Sequence, residues 1–191
     1  MFRTQSSSLN FPNDGCKNRF LISETAMTSF QKKVREKQIG DFLKVACIGR
    51  IMHGKGYMYA LKGFHLFLQK GGRGKLSFYG KGPQENELKN YVKKNQLEEF
   101  IKFNGFVANE KVKEALIDSH LLLHPSFREG GSWSIMEAMS YGVPVVCLKT
   151  SGPKDMVTNE CGILINMFSP KQVVNDIARE LSIIFNDQEK Y

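Results

Sequence analysis

From residue 43 onward the chain alternates short β-rich runs with longer amphipathic ones, and this alternation restricts the fold more than any other feature. The β-rich runs are LKVACIGR (43–50), KLSFYG (75–80), FIKFNG (100–105), HLLLHPS (120–126), VPVVCLK (143–149) and GILIN (162–166). Segments of helical periodicity fill the gaps, near 56–70, 84–95, 109–119, 133–141 and 170–186. Strands bounded by Gly and Pro, each followed by a helix-period segment, imply βαβ units and a parallel sheet covered on both faces. The expected fold is α/β, a Rossmann-like doubly wound parallel sheet of about six strands.

Residues 1–40 break that rhythm. SSSLNFPNDG is polar and turn-rich, and ISETAMTSFQKKVREKQ can form a helix. A first good strand only at residue 43 makes 1–40 an interdomain segment or the remnant of an N-terminal domain. Residues 41–191 then form the folded unit. An apolar share of 41% supplies a core. No run approaches the roughly 18 apolar residues of a membrane span, and the N-terminus lacks the apolar stretch of a secretory signal. Cys16, Cys47, Cys147 and Cys161 show no metal-ligand spacing. Cys47 and Cys147 fall inside strand-like runs and read as core residues, which fits a reducing cytosol.

The formal charge of +8 favours an anionic partner: a phosphorylated small molecule, nucleic acid or an acidic membrane face. Most lysines, Lys62, Lys70, Lys81 and Lys89 among them, alternate with glutamates and read as solvated surface. No RNA-recognition, zinc-finger or helix-turn-helix signature is present, so nucleic acid is not the expected partner.

Ligands of an open parallel sheet gather where strands end and helices begin. The first such junction is GRIMHGKG (49–56). Gly49, Gly54 and Lys55 match the phosphate-loop pattern G-x-x-x-x-G-K-[ST], but Gly56 lacks the hydroxyl that would hold magnesium. Two cations remain there, Arg50 and Lys55. They suit a diphosphate, since arginine grips it with two parallel hydrogen bonds and lysine adds a point charge; alternatively they are surface charges of a loop.

The second junction, SFREGGSWS (126–134), leaves an apolar strand and opens a helix. A helix start presents unpaired N–H groups and partial positive charge, a seat for phosphate. Gly130 and Gly131 let a ligand approach the backbone. Ser132 or Ser134 either meets the ligand or caps the helix. Glu137 falls about one turn into that helix, where a carboxylate can accept both hydroxyls of a ribose. Glu129, on the loop, can reach hydroxyls of a sugar beyond the phosphates. No Asp-x-Asp occurs, and His53, His65, His120 and His124 form no i, i+4 metal pair. His124 ends a strand near Glu129 and is either a neighbour of the sugar or a packed side chain. Met136 and Met139 read as core filling.

On IGRIMHGKG, FYGKGP (78–83), FNGFV (103–107) and HPSFREGGSWSIMEAMSYGVPVVCLKTSGPKDMV (124–157), the chain from about residue 43 to 186 resembles the retaining glycosyltransferases of the GT-B fold, family 4. The two glutamates with seven residues between them are that family's signature. The resemblance implies one half of a GT-B architecture, the domain that binds a nucleotide-diphosphate sugar, with UDP the expected nucleotide and no metal or other cofactor. It gives catalytic roles to Glu129, at the transferred sugar, and to Arg50 and Lys55, at the diphosphate. It gives substrate binding to Glu137 at the ribose, to Gly49, Gly130, Gly131, Ser132, Trp133 and Ser134 around phosphate and sugar, and to the backbone of Val107 at the base.

The implied acceptor is a lipid-linked glycan of a surface polysaccharide such as lipopolysaccharide O-antigen. The implied location is the cytoplasm, with peripheral contact at the inner face of an anionic membrane. This chain has Gly130, Gly131 and Ser132 where the family often has Gly-Phe-Gly, and Trp133 replaces a smaller apolar residue. Both departures fall beside the sugar. Two other readings stand beside this one: a module that binds a sugar nucleotide without transferring it, and an adaptor resting on a membrane through its basic charge.

Overall fold

The computed structural model describes residues 39–187. The segment before residue 39, including the helix expected at ISETAMTSFQKKVREKQ, and Cys16 lie outside the described residues. Six parallel strands form one sheet: β1 (Leu43–Ile48), β2 (Gly74–Tyr79), β3 (Ile101–Phe103), β4 (Leu121–His124), β5 (Val145–Leu148) and β6 (Gly162–Ile165), in the order β3-β2-β1-β4-β5-β6. Register follows the pleat, with Val45 opposite Leu76 on one side and Leu121 on the other. The helices are α1 (Tyr57–Gln69), α2 (Glu85–Lys94), α3 (Asn109–Asp118), α4 (Trp133–Ser140), α5 (Ser151–Met156) and α6 (Pro170–Asn186).

Strand alternation divides the core between the two faces of the sheet. Val45, Cys47, Leu76, Phe78, Leu123 and Val146 point toward Leu61, Phe64, Ile177 and Leu181 of α1 and α6. Ala46, Ile48, Leu122, Val145 and Cys147 point toward Leu116, Ile135 and Ala138 of α3 and α4. β4 and β5 are buried at every position, as strands covered on both faces must be. Cys47 and Cys147 are core residues, as their strand positions suggest.

Helix α6 shows how sequence starts an element. Pro170 occupies its first turn, where a missing N–H does no harm, and the Ser169 side chain accepts from the Gln172 N–H at 3.2 Å. Its buried Val173, Ile177, Leu181 and Ile184 recur at helical spacing and form one stripe.

Two elements are absent from the sequence reading: a 3-10 turn at His53–Lys55 and the six-residue α5. Ser-Gly-Pro at 151–153 reads as a loop because Pro and Gly punctuate chains. Here Pro153 lies in the first turn of α5, where it is tolerated. The strand order reverses between β1 and β4, so the connections leaving them diverge and open a crevice at the carboxyl edge of the sheet.

Candidate functional site

Three loops close around that crevice. The loop after β1 and the loop after β4 are stitched by Phe127 N–H donating to the Gly54 carbonyl at 3.0 Å. The approach is tight enough to require glycine at 56: it sits at φ 68°, and a Cβ there would lie 2.1 Å from the Pro125 carbonyl oxygen. The loop after β5 joins through Gly152 N–H, which donates to the Glu129 carbonyl at 2.8 Å, supported by the Ser151 hydroxyl at 3.3 Å.

Glu129 is the centre of the resulting network. Its Oε2 accepts from Lys55 Nζ at 2.5 Å and from His124 Nε2 at 3.2 Å. The carboxylate is 12% exposed and the imidazole 4%. Burial pushes the Glu129 carboxyl upward, but the hydrogen bonds and charges of His124 and Lys55 outweigh it and lower it to about 2. The other imidazole nitrogen, Nδ1, lies 3.4 Å from Ser134 Oγ, which lies 3.0 Å from Ser132 Oγ. Ser132 is the N-cap of α4, its side chain accepting from Ile135 N–H. This decides between the two candidate caps and leaves the N–H groups of Trp133 and Ser134 at the start of the helix.

The loop after β1 also forms the wall of a second feature. A cleft of about 360 Å³ is lined by Gly49, Arg50, Lys81, Phe106, Val107 and Asn109, with Ile48, Tyr79 and Val112 behind them. It is held open by backbone bonds among the loops after β1, β2 and β3: Ile51 N–H to the Lys81 carbonyl at 3.0 Å, and Gly80 N–H to the Gly105 carbonyl at 2.7 Å. Phe106, 81% exposed, stands at its rim. A larger cleft of about 400 Å³ lies on the flank between α1 and α6, lined by Lys62, Glu87, Lys171 and Asn175. It contains none of the site residues expected from sequence. The smaller cleft lies where β1, β2 and β3 end, and the segment 49–56 that borders it also carries Lys55 of the glutamate network.

The expected site residues therefore divide into three groups. Lys55, Glu129, Ser132 and Ser134 share one hydrogen-bonded network. Gly49, Arg50 and Val107 line the cleft. Glu137, Trp133, Gly130 and Gly131 belong to neither list. Glu137 is half-buried on α4, burial raises its carboxyl, and no side-chain partner satisfies it among the described residues. Trp133 is exposed, whereas Gly130 and Gly131 form the bend between Glu129 and α4.

Sequence reasoning missed two contributors. Lys81, read there as solvated surface, is exposed as expected and also lines the cleft; FYGKGP held that signal. His124, left open between a sugar neighbour and a packed residue, is buried and also holds Glu129. Among the described residues no group of three His, Cys, Asp or Glu side chains is placed to share a metal ion. No described helix is long and apolar enough to cross a membrane.

Comparison with known proteins follows the same region. The family model described as glycosyl transferases group 1 matches residues 29–190. Amylovoran biosynthesis glycosyltransferase AmsK of Erwinia amylovora is 30% identical over 134 residues, covering 67% of this chain and 33% of that protein. A crystal structure of a Staphylococcus aureus TarM mutant, in complex with fondaparinux, alpha-GlcNAc-glycerol and UDP, superimposes with a TM-score of 0.75 at 24% identity, covering 90% of this chain and 33% of that one. The C-terminal domain of a group 1 family protein (LpcC) from Francisella tularensis gives 0.66 at 24% identity, covering 78% and 77%. The chain spans about a third of the length of the curated relatives it matches.

Proposed function

The chain belongs to the glycosyl transferases of group 1, and from that premise we propose that it is the donor-binding half of a retaining glycosyltransferase that holds a UDP-linked sugar at the carboxyl edge of its sheet. One observation carries the reading: the loop after β1 carries both Lys55, which with His124 holds Glu129 as an anion, and the Gly49–Arg50 wall of a cleft whose charged lining residues, Arg50 and Lys81, are both cationic. An anionic, hydroxyl-bearing ligand matches both halves of that arrangement. UDP is favoured because the TarM structure contains it.

In this reading the base lies against Val107 and the diphosphate near Gly49, Arg50 and Lys81. The N–H groups at the start of α4 add positive potential there. Glu137 accepts the ribose hydroxyls, which supplies the partner its carboxylate lacks. Glu129, held by Lys55 and His124, accepts hydrogen bonds from hydroxyls of the transferred sugar, with Gly130, Gly131, Ser132, Trp133 and Ser134 shaping that end.

The bond from the anomeric carbon to the diphosphate oxygen breaks, leaving an oxocarbenium-like centre and a more negative leaving group. The cations and helix start stabilise that added charge. The acceptor hydroxyl attacks from the face the diphosphate leaves, its proton passes to a leaving phosphate oxygen, and configuration is kept. Charge neutralisation by side chains, without a metal-held diphosphate, agrees with the lack of Asp-x-Asp in the sequence. The acceptor we propose is a lipid-linked glycan of a surface polysaccharide, reached at the cytoplasmic face of a membrane.

Calorimetry with UDP, GDP, ADP and their sugars, with and without chelator, tests the donor reading. Chelator-insensitive binding of UDP is expected, and failure of all three nucleotides to bind would overturn it. The chain's span of about a third of its relatives favours a second reading, a module that binds donor and transfers nothing alone. Glycan transfer by the 191-residue chain would refute that one.

A further inference from the structure

Among the described residues, three buried side-chain polar atoms have no hydrogen-bond partner: Tyr57 Oη, Gln84 Oε1 and Thr150 Oγ1. All three follow strands at the same edge of the sheet. Tyr57 opens α1 after β1, Gln84 precedes α2 after β2, and Thr150 precedes α5 after β5. Unpaired buried polar groups are rare in folded proteins, and each one calls for an explanation such as a functional partner.

Tyr57 is the most constrained of the three. It is 1% exposed, and its ring is seated edge-on against Phe78 with centroids 5.7 Å apart. Its hydroxyl oxygen lies 2.9 Å from where a Cβ on Gly49 would stand. Gly49 lines the cleft beside Arg50, so the hydroxyl occupies the space that glycine leaves empty under the turn. Burial, then the nearby Cys47 and Glu129, raises the phenol well above its usual range. It therefore remains an O–H donor, seated against Gly49 at the edge of the cleft.

We propose that the Tyr57 hydroxyl is a substrate contact that donates a hydrogen bond to a diphosphate oxygen at the Gly49–Arg50 turn. The proposal rests on the donor-binding reading above. It gives the orphaned hydroxyl an acceptor and the ligand a neutral donor that needs no counter-ion.

The test is Tyr57→Phe, an isosteric change that removes only the hydroxyl. A bond to a charged oxygen predicts UDP binding weaker by about tenfold or more, with uridine binding unchanged because uridine has no diphosphate. Thermal stability of the free variant should equal or exceed wild type, since an unsatisfied buried group is gone. Equal UDP affinity in the two proteins would overturn the proposal and leave the donor reading standing. Failure of wild type to bind UDP, GDP or ADP would overturn both. Independently of the variant, the Tyr57 resonance in wild type labelled with [13Cζ]tyrosine should move with UDP and stay put with uridine. A resonance indifferent to UDP would also refute the contact.

Discussion

Replacing Glu129 by Gln removes the anion from between Lys55 and His124 while keeping the shape of the side chain. The carboxyl's ordinary value is 4.5, and in the folded protein it is lowered to about 2. At about 1.36 kcal/mol per tenfold change in proton affinity, the difference stabilises the charged, folded form by about 3 kcal/mol. Because the folded value lies below the ordinary one, the whole contribution is present above about pH 4.5. It shrinks to about 1.4 kcal/mol at pH 3 and disappears below about pH 2. Gln cannot ionise, so Glu129→Gln should behave as the protonated protein at every pH. Urea denaturation of both proteins between pH 7 and pH 2.5 should show a stability gap of about 3 kcal/mol at neutrality that closes as acid is added. A gap under about 1 kcal/mol at pH 7, or one that persists unchanged at pH 2.5, would show that Lys55 and His124 do not hold Glu129 as an anion.

Three further outcomes follow from the same geometry. Arg50→Ala combined with Lys81→Ala should leave stability within about 0.5 kcal/mol of wild type and weaken UDP binding by about 100-fold or more by calorimetry, with a shallower salt dependence. Glu137→Gln should fold at least as well as wild type, because burial already raises that carboxyl, yet bind UDP about tenfold more weakly. Gly56→Ala puts a side chain at φ 68° and 2.1 Å from the Pro125 carbonyl oxygen. It should lower stability by about 2 kcal/mol or more in thermal unfolding and weaken UDP binding with it, since Lys55 is the neighbouring residue.

The fold was legible because its signals are local. Four-residue strands buried throughout, such as β4 and β5, read directly as apolar runs bounded by turns, and α6 announces itself with Ser169 and Pro170. The parts that were not legible depend on distant chain or on an exception to a local rule. Lys55 meets Glu129 across 74 positions, a contact set by the reversal of strand order between β1 and β4. The His124–Glu129 bond spans only five positions, yet it needs the loop to fold back over the strand end, and no periodicity encodes that. The choice between Ser132 and Ser134 as cap depended on where α4 begins, to a single residue. Helix α5 hid behind Ser-Gly-Pro, residues that elsewhere stop helices. Lys81 is surface, as read, and its place in a cleft was hidden because the loops after β1 and β3 supply the other walls.

The central claim is that a sugar nucleotide sits where β1, β2, β3 and β4 end. Mapping backbone amide shifts of the chain during titration with UDP tests it most directly. The account predicts that the largest changes fall in residues 49–56, 80–82, 105–109 and 129–137. Absence of binding, or shifts centred on Lys62, Glu87, Lys171 and Asn175 in the flank cleft between α1 and α6, would contradict it.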